Sequence, residues 1–551
     1  MDSITALKEF LKTGFKGDVD DSDVALSKAG RDASLLEVRP KIVLFPKDAD
    51  DIKAVVRFVH ENKVRYPELS VTVRAAGTCM SGGPLNESVI VDITRYMRGI
   101  VSISKERATV LPGTFYRDLE PETLKLGSIL PCYTASKNLN TLGGMIGNNS
   151  AGEKTLRYGK MENFIESLKI VLEDGNEYAV RPLSKTELDA KVAKKDLEGA
   201  LYRKIWDIVS ENAGLLAKAK PNVSKNSAGY YLWNVWDAEK QVFDLTRLIV
   251  GSQGTLGIVT EATIRLVPVE PVSKLFVIFM PSLSRLGDLV NDILPFSPES
   301  IESYDDSTMK LALKFLPDMA RTMHAKNFLK LMWNFWPEAL MALTGGMPKL
   351  VLLVEFSGQT AAAIHETVKR LEEKIRHYGF KMREARDVDD SEKYWAVRRE
   401  SFNLLRKHVH GARTAPFVDD VIVPPDAMPD FLPKMRAILD EYKLLYTIAG
   451  HAGNGNFHII PLMDMHDARN LKAIDEVSDK VYDLVLSYGG SITAEHNDGI
   501  IRTPYLAKMF GPEVMALFQK TKDAFDPRGI FNPGKKVGGT KAYMMSHISR
   551  A

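Results

Sequence analysis

The stretch 140-NTLGGMIGNNSAG-152 carries four glycines in thirteen residues. Two more clusters resemble it in density, 77-GTCMSGG-83 and 251-GSQGTLG-257. Glycines in such number permit positive φ and let a ligand come close to the backbone. Successive exposed N–H groups can then hold phosphate oxygens. No cluster is a simple nucleotide motif, since G-x-G-x-x-G after a strand and G-x-x-x-x-G-K-[ST] are both missing. One cluster alone reads equally well as a tight loop. Three clusters, each beside a strand, read as a cofactor cradle.

Around the clusters the pattern is mixed helix and strand. Strands are expected at Ile42–Phe45, Val71–Ala75 and Ser88–Asp92, with a helix over Asp48–Glu61 that has Ile52, Val55, Val56 and Val59 on one face. Ile165–Leu172 and Tyr178–Val180 read as a hairpin around 173-EDGNE-177. Residues 183–240 read as charged and loop-rich, and the third cluster runs into a strand at Ile258–Leu266. Pro268 and Pro271 mark a domain boundary. Beyond it, Leu275–Met280 and Val351–Phe356 read as strands separated by a long helical insertion. Helices follow at 360–378, 388–410, 427–442 and 468–488. The expected units are an N-terminal helical extension (1–37), a first domain (38–268), a second domain (269–490) with insertion 306–349, and a C-terminal segment (491–551).

The chain of 551 residues is too long for one hydrophobic core. It is 45% hydrophobic and 26% charged with a net charge of +2, which gives no nucleic-acid footprint. Its two cysteines, Cys79 and Cys132, have no spacing suited to a disulfide framework or an iron–sulfur cluster. The start, MDSITALKEFLKTG, has no signal-like segment, so a cytoplasmic location is the default, with the inner face of a membrane left open. The apolar stretch 327-NFLKLMWNFWPEALMALTGG-346 contains Lys330, Pro337 and Glu338 and reads as interfacial or buried rather than spanning. In the insertion, Met309, Leu313, Leu316 and Met323 share a helical face, with Trp333, Phe335 and Trp336 beyond. Such a segment suits a bilayer surface, domain core or a homodimer contact.

A second constellation lies at 447-TIAGHAGNGNFHIIPLMD-464 and 491-SITAEHNDG-499. The Gly/Asn run between two apolar runs favours a tight reversal that folds His451 toward His458. Two imidazoles there suit a divalent cation such as zinc or manganese, with Glu495 as the third ligand and His496 beside it as a base. Spacing alone leaves hydrogen-bonded structural histidines as the other reading. The helix phrase 394-YWAVRRE-400 offers Arg398 and Arg399 for a carboxylate, with Lys407 and Arg413 as weaker candidates.

These motifs together resemble the FAD-dependent oxidoreductases of the vanillyl-alcohol oxidase (p-cresol methylhydroxylase) type, nearest to the D-2-hydroxyacid dehydrogenases for D-lactate, D-2-hydroxyglutarate or glycolate. The resemblance rests on 74-RAAGTCMSGG-83, 140-NTLGGMIGNNSAG-152, 249-IVGSQGTLGIVTEATIRL-266 and 526-DPRGIFNPGK-535. It implies an α+β fold: a two-part FAD-binding domain, an α+β substrate domain, and a C-terminal helical segment returning to the flavin. Arg74, Ala75, Gly77, Thr78, Cys79, Ser81 and Gly82 would bring backbone to the FAD pyrophosphate, and Pro112 and Gly113 would shape the next turn. Leu142, Gly143, Gly144, Gly147, Asn148, Ser150, Ala151 and Gly152 would line the flavin and its ribityl chain. Gly251, Thr255, Gly257 and Ile258 would close the pocket, and Asn532 would approach the ring. Thr78 stands where some relatives attach flavin through a histidine, which implies non-covalent FAD. Gln253 replaces a frequent glutamate.

The resemblance also implies metal ligation by His451, His458 and Glu495, from HAGNGNFH and AEH, with Asn454 in place of an aspartate. It places the substrate-carboxylate arginine at Arg398, within W-x-x-R. Asp420 reads as structural, and Ile460 stands where some relatives have an asparagine near the substrate. The implied reaction is oxidation of a D-lactate-like 2-hydroxyacid to the 2-oxoacid, with hydride to flavin N5 and His496 as base. Electrons would leave to an external quinone, cytochrome, electron-transfer flavoprotein, iron–sulfur partner or oxygen. The alternatives are a non-redox transferase of the alkylglycerone-phosphate synthase type, a carbohydrate or lactone oxidase, and a non-catalytic flavin-binding protein.

Overall fold

Each glycine cluster lies at the end of a regular element. The strand Val71–Arg74 leads into the first, Thr141 caps the short helix Leu142–Asn148 that forms the second, and the third feeds the strand Ile258–Arg265. This arrangement is seen in a computed structural model that describes residues 1–314, 346–408 and 411–550.

The first domain has two sheets. One runs in the order Asp18–Asp20, Ile42–Phe45, Val89–Asp92, Val71–Arg74, with the last three strands parallel. The helix Ala49–Asn62 makes the crossover. Asp48 caps it, and Ile52, Val55, Val56 and Val59 are buried. The second sheet is antiparallel, in the order Ile100–Ile103, Arg107–Val110, Ile258–Arg265, Ile165–Val171, Glu177–Val180. The first 37 residues contain two helices but also supply an edge strand, Asp18–Asp20, to the first sheet. The expected loop-rich region 183–240 instead contains helices Lys185–Val192, Leu197–Glu211 and Ala213–Ala219. Its charges conceal a helical period whose buried face is Leu201, Tyr202, Ile205, Ile208 and Val209.

The second domain is built on one large antiparallel sheet. Its order is Lys381–Glu384, Val272–Met280, Leu350–Gly358, Ser300–Asp305, Leu445–His451, Asn456–Met463, Arg413–Thr414. Side chains alternate between its faces. Phe276, Ile278, Leu352 and Val354 pack with Ile364, Val368, Leu371 and Ile375 of the helix Ala361–Ile375. Leu275, Val277, Phe279 and Leu353 pack on the other face with Tyr394, Trp395 and Val397 of the helix Val388–His408. That helix carries Arg398 and Arg399 over the sheet.

Ser300–Asp305 corrects the reading of this region as helical insertion throughout. All six of its residues, SIESYD, are buried although four are polar, so hydropathy gives no sign of an interior strand. Of the expected insertion 306–349, Asp306–Lys314 is helical as read, with Met309 buried, while residues 315–345, including most of the stretch 327–346, lie outside the described residues. Among the described residues no helix is long and apolar enough to cross a membrane.

The C-terminal segment closes the molecule on the first domain. Val71 N–H donates to Ile530 O, and Asn532 N–H donates to Val71 O. The Asn532 side chain, fully buried, accepts from Thr72 Oγ1 (2.9 Å) and donates to the carbonyls of Gly83 (2.9 Å) and Gln253 (2.7 Å). One amide thereby joins the first glycine cluster, the third, and the chain's end.

Candidate active site: a histidine–carboxylate centre beside a glycine cradle

The strands Leu445–His451 and Asn456–Met463 pair with Ala449 opposite His458 and His451 opposite Asn456. His451 and His458 are therefore diagonal neighbours on one face, with ring centroids 5.2 Å apart. The turn needs glycine at 455. Its φ is +73°, and a Cβ there would lie 1.9 Å from Val423 O. Glu495 and His496 arrive on the C-terminal segment, which Asp420 holds in place. Asp420 Oδ2 accepts from the backbone N–H groups of Ala494 (2.9 Å), Glu495 (2.8 Å) and His496 (2.8 Å), and from the Thr493 hydroxyl (2.7 Å). This is the structural role read for Asp420.

Each histidine is oriented by a carboxylate on Nδ1. His451 Nδ1 is 2.5 Å from Glu302 Oε1, and His458 Nδ1 is 3.2 Å from Asp419 Oδ1. Their Nε2 atoms turn to Glu495, 3.2 Å from Oε1 and 4.0 Å from Oε2 respectively. His496 stacks on His458 with centroids 5.1 Å apart. Its Nδ1 is 2.7 Å from Asp419 Oδ2, an ion-pair contact. The fully buried Lys225 ammonium rests 2.5 Å from Glu495 Oε1, leaving Oε2 toward His458. Ligand atoms of His451, His458 and Glu495 fall within 4.8 Å of one another. Two imidazole Nε2 atoms and a carboxylate fit zinc or manganese, and the Nδ1 carboxylates supply the outer partners such ligands need.

The charges agree with this reading. Burial raises the Glu495 carboxyl, but the His451 and Lys225 charges outweigh it and hold it well below the usual range. Burial raises Glu302 too, yet His451 and Arg398 leave it lowered. Burial opposes charge on His451, and Glu302 and Glu495 override it and raise its pKa. For His496, burial is outweighed by Asp419 and Asp420, which push it up to about 9. The carboxylates around His451 and His496 thus favour positive charge there, as a proton or as a bound cation.

Arg398 reaches the same cluster. Its Nε is 3.2 Å and its Nη2 3.1 Å from Glu302 Oε2. Arg399 points away and holds Glu153 of the first domain through two bonds of 2.8 and 2.7 Å. Arg413 donates to Ser549 O at 3.1 Å, away from the centre, and the Lys407 side chain lies outside the described residues. Glu302, Asp419 and Lys225 were not found from sequence. Asp419 had a signal in 418-VDD-420, whereas Glu302 lies in the stretch read as helical insertion and Lys225 in the stretch read as charged and loop-rich.

The glycine clusters interlock next to this centre. Gly251 N–H donates to Ile146 O and Gln253 N–H to Gly147 O. Asn497 Nδ2 donates to Asn148 O (3.2 Å) and Gly251 O (2.9 Å), and Ser81 Oγ to His496 O (3.1 Å). Gln253, the departure noted above, accepts from Gly499 N–H (2.8 Å) and donates to Asn148 Oδ1 (3.2 Å). Packing explains several glycines. A Cβ would lie 2.1 Å from Ile93 O at Gly113, 2.8 Å from Pro112 O at Gly143, and 2.0 Å from Tyr133 O at Gly152. Gly144 and Gly147 are different. The nearest atoms to a Cβ are Ala75 Cβ at 3.3 Å and Gln253 Cα at 3.9 Å, so protein packing does not demand glycine.

These two residues lie on the half-exposed face of their helix, as do Gly143 and Asn148. Ala75, Gly77 and Thr78 are half-exposed too, and the N–H groups of Ala76, Gly77 and Thr78 have no partner among the described residues. Open glycines and free N–H donors fit a diphosphate-bearing cofactor. The Arg74 guanidinium is spent on the carbonyls of Lys28, Ala29 and Arg31. Ser150, Ala151, Thr255 and Ile258 are buried and Gly82 and Gly257 are packed against protein, so they shape the cradle. Leu142 is buried in the core, and Cys79 is a buried free thiol 3.2 Å from Ser81 Oγ.

Two family models match this chain. The family described as "FAD binding domain" matches residues 40–180, and "FAD linked oxidases, C-terminal domain" matches residues 270–536. The chain is 29% identical over 545 residues to D-2-hydroxyglutarate dehydrogenase of Escherichia coli (strain K12), covering 96% of this chain and 51% of that protein. It thus spans about half the length of that relative. It is 25% identical over 510 residues to D-lactate dehydrogenase of Anaerostipes hadrus, covering 91% and 90% of the two chains. The solved structure of p-cresol methylhydroxylase with substrate bound has a TM-score of 0.67 at 16% identity over 97% of each chain, which shows the fold.

Proposed function

We propose, from the premise that this chain belongs to the FAD-linked oxidases through both of its matched domains, that it oxidises a D-2-hydroxyacid to the 2-oxoacid. The observation that carries the reading is the run of contacts from Arg398 through Glu302 to the His451–His458–Glu495 donor set, with His496 stacked on His458. A 2-hydroxyacid has a carboxylate for an arginine and a hydroxyl for a base. The D series follows the names of the two relatives.

Arg398 offers the substrate carboxylate its Nη1 corner, which makes no hydrogen bond among the described residues. His496, set by Asp419, holds and moves the hydroxyl proton through its imidazole. Asp420 fixes the backbone that carries Glu495 and His496. The backbone of 76–78 and the open face of Leu142–Asn148 would hold FAD, which supplies hydride acceptance when bound. His451, His458 and Glu495 would hold a divalent cation, zinc or manganese, which supplies Lewis acidity toward the 2-hydroxycarboxylate. Thr78 offers no side chain for a histidyl link, so the flavin is non-covalent. With two cysteines in all, this chain has no four-cysteine cluster, and the electrons pass to an external acceptor.

Anaerobic mixing of the FAD-loaded protein with D- and L-2-hydroxyacids tests the reading. One D-hydroxyacid is expected to bleach the flavin absorbance while its L isomer does not. Flavin that stays oxidised with every hydroxyacid would exclude this chemistry and favour the non-redox alternative.

A further inference from the structure

Glu302 touches two groups that have different tasks. It lies on the buried strand Ser300–Asp305, which pairs with Leu445–His451 so that Ser303 faces Gly450 and Tyr304 faces Ala449. The same register sets Glu302 against His451. The carboxylate is 1% exposed, and its two oxygens are divided. Oε1 meets His451 Nδ1 at 2.5 Å, and Oε2 meets Arg398 Nη2 at 3.1 Å and Nε at 3.2 Å.

We propose that Glu302 is a positioning residue that couples cation binding at His451 to carboxylate binding at Arg398. The proposal rests on the roles read above for those two residues. At the histidine end, a carboxylate on Nδ1 fixes the tautomer with its lone pair on Nε2 and raises the basicity of the ring. Such outer partners change metal affinity by roughly 10–100-fold. At the arginine end, Glu302 occupies the Nε–Nη2 edge and leaves Nη1 to a substrate. Because one carboxylate serves both, charge drawn toward Arg398 is withdrawn from His451. A carboxylate that merely neutralised two buried cations would show no such exchange.

The exchange gives the two variants opposite signs. Zinc affinity is measured on full-length, FAD-loaded protein by competition with a chromogenic chelator, without substrate. Glu302→Gln keeps the shape and loses the charge, and is expected to bind zinc roughly tenfold or more weakly with its FAD content unchanged. Arg398→Ala removes no ligand. It leaves the Glu302 charge to His451, so it is expected to bind zinc several-fold more tightly. General damage to the centre would weaken both. Unchanged zinc affinity in Glu302→Gln, or unchanged or weaker affinity in Arg398→Ala, overturns the coupling. Should Glu302→Gln fail to fold, the sign in Arg398→Ala decides alone. Wild-type protein that takes up no zinc overturns the metal reading and the coupling together. Variants with the expected signs in a protein whose flavin no hydroxyacid bleaches overturn the proposed reaction and leave the Glu302 link to the metal standing.

Discussion

At the scale of residues, His458 and His496 stack at 5.1 Å yet differ in what their removal does. His458 presents Nε2 to Glu495, so His458→Ala is expected to lose the divalent metal and substrate-driven flavin reduction while retaining FAD. His496→Ala leaves all three donors in place and is expected to keep the metal, with reduction slowed by roughly 10²–10⁴-fold. Metal analysis of both proteins beside anaerobic reduction rates separates the two; equal metal loss would remove His496 from the role of base. His451 and His458 were legible in the sequence because a glycine turn brings its flanks together, and Glu495 and His496 because they stand side by side in the short segment 491-SITAEHNDG-499. Glu302 was not. It meets His451 across 149 residues of chain, and a charged residue is read as exposed unless a partner is known. Lys225 was hidden for the same reason, its partner Glu495 lying 270 residues away.

At the scale of elements, the short helix Leu142–Asn148 bears three glycines that a stable helix would avoid. Gly143 is forced by Pro112, while a Cβ at Gly147 would meet only Gln253 Cα at 3.9 Å, an ordinary contact. Gly147→Ala should therefore favour the helix by up to about 1 kcal/mol in the FAD-free protein. The same methyl would stand on the half-exposed face of the cradle, so FAD affinity should fall. Thermal melting of FAD-free and FAD-loaded protein checks both halves: the variant melts higher than wild type without FAD and gains less on adding it. An undiminished FAD affinity would show that the cofactor does not approach this face. The glycine clusters were legible because glycine density signals backbone geometry directly. The strand Ser300–Asp305 was not, because its buried polar side chains are satisfied by groups far along the chain. Asp305 pairs with Arg436, Glu302 with Arg398, and Ser303 with Gly450 O.

At the scale of the whole molecule, the two domains meet across charges as well as core. Lys154 of the first domain donates to Glu299 (2.9 Å), Arg157 to Ser357 Oγ (2.9 Å), and Arg399 of the second holds Glu153. The expected boundary at Pro268 and Pro271 was read from two prolines, whereas this ionic join depends on groups far apart in the chain. Within it, Glu355 accepts from Ser273 Oγ at 2.6 Å and lies near Glu299. Burial, then the Glu299 charge, pushes Glu355 up to about 7. An acid whose folded pKa exceeds its unfolded value binds more protons when folded. Between about 4.5 and 7 the folded state must lose that proton at a cost, so the contribution of Glu355 to stability declines as pH rises through this window and is constant above it. The decline is of order 1–3 kcal/mol. Glu355→Gln removes the titration, so the stability of the variant relative to wild type should improve from pH 5 to pH 8 by that amount. Groups that do not touch Glu355 titrate alike in both proteins and cancel in the difference. Denaturant melts at several pH values measure it, and a variant-to-wild-type offset that stays flat from pH 5 to 8 would mean that Glu355 ionises normally at the domain boundary.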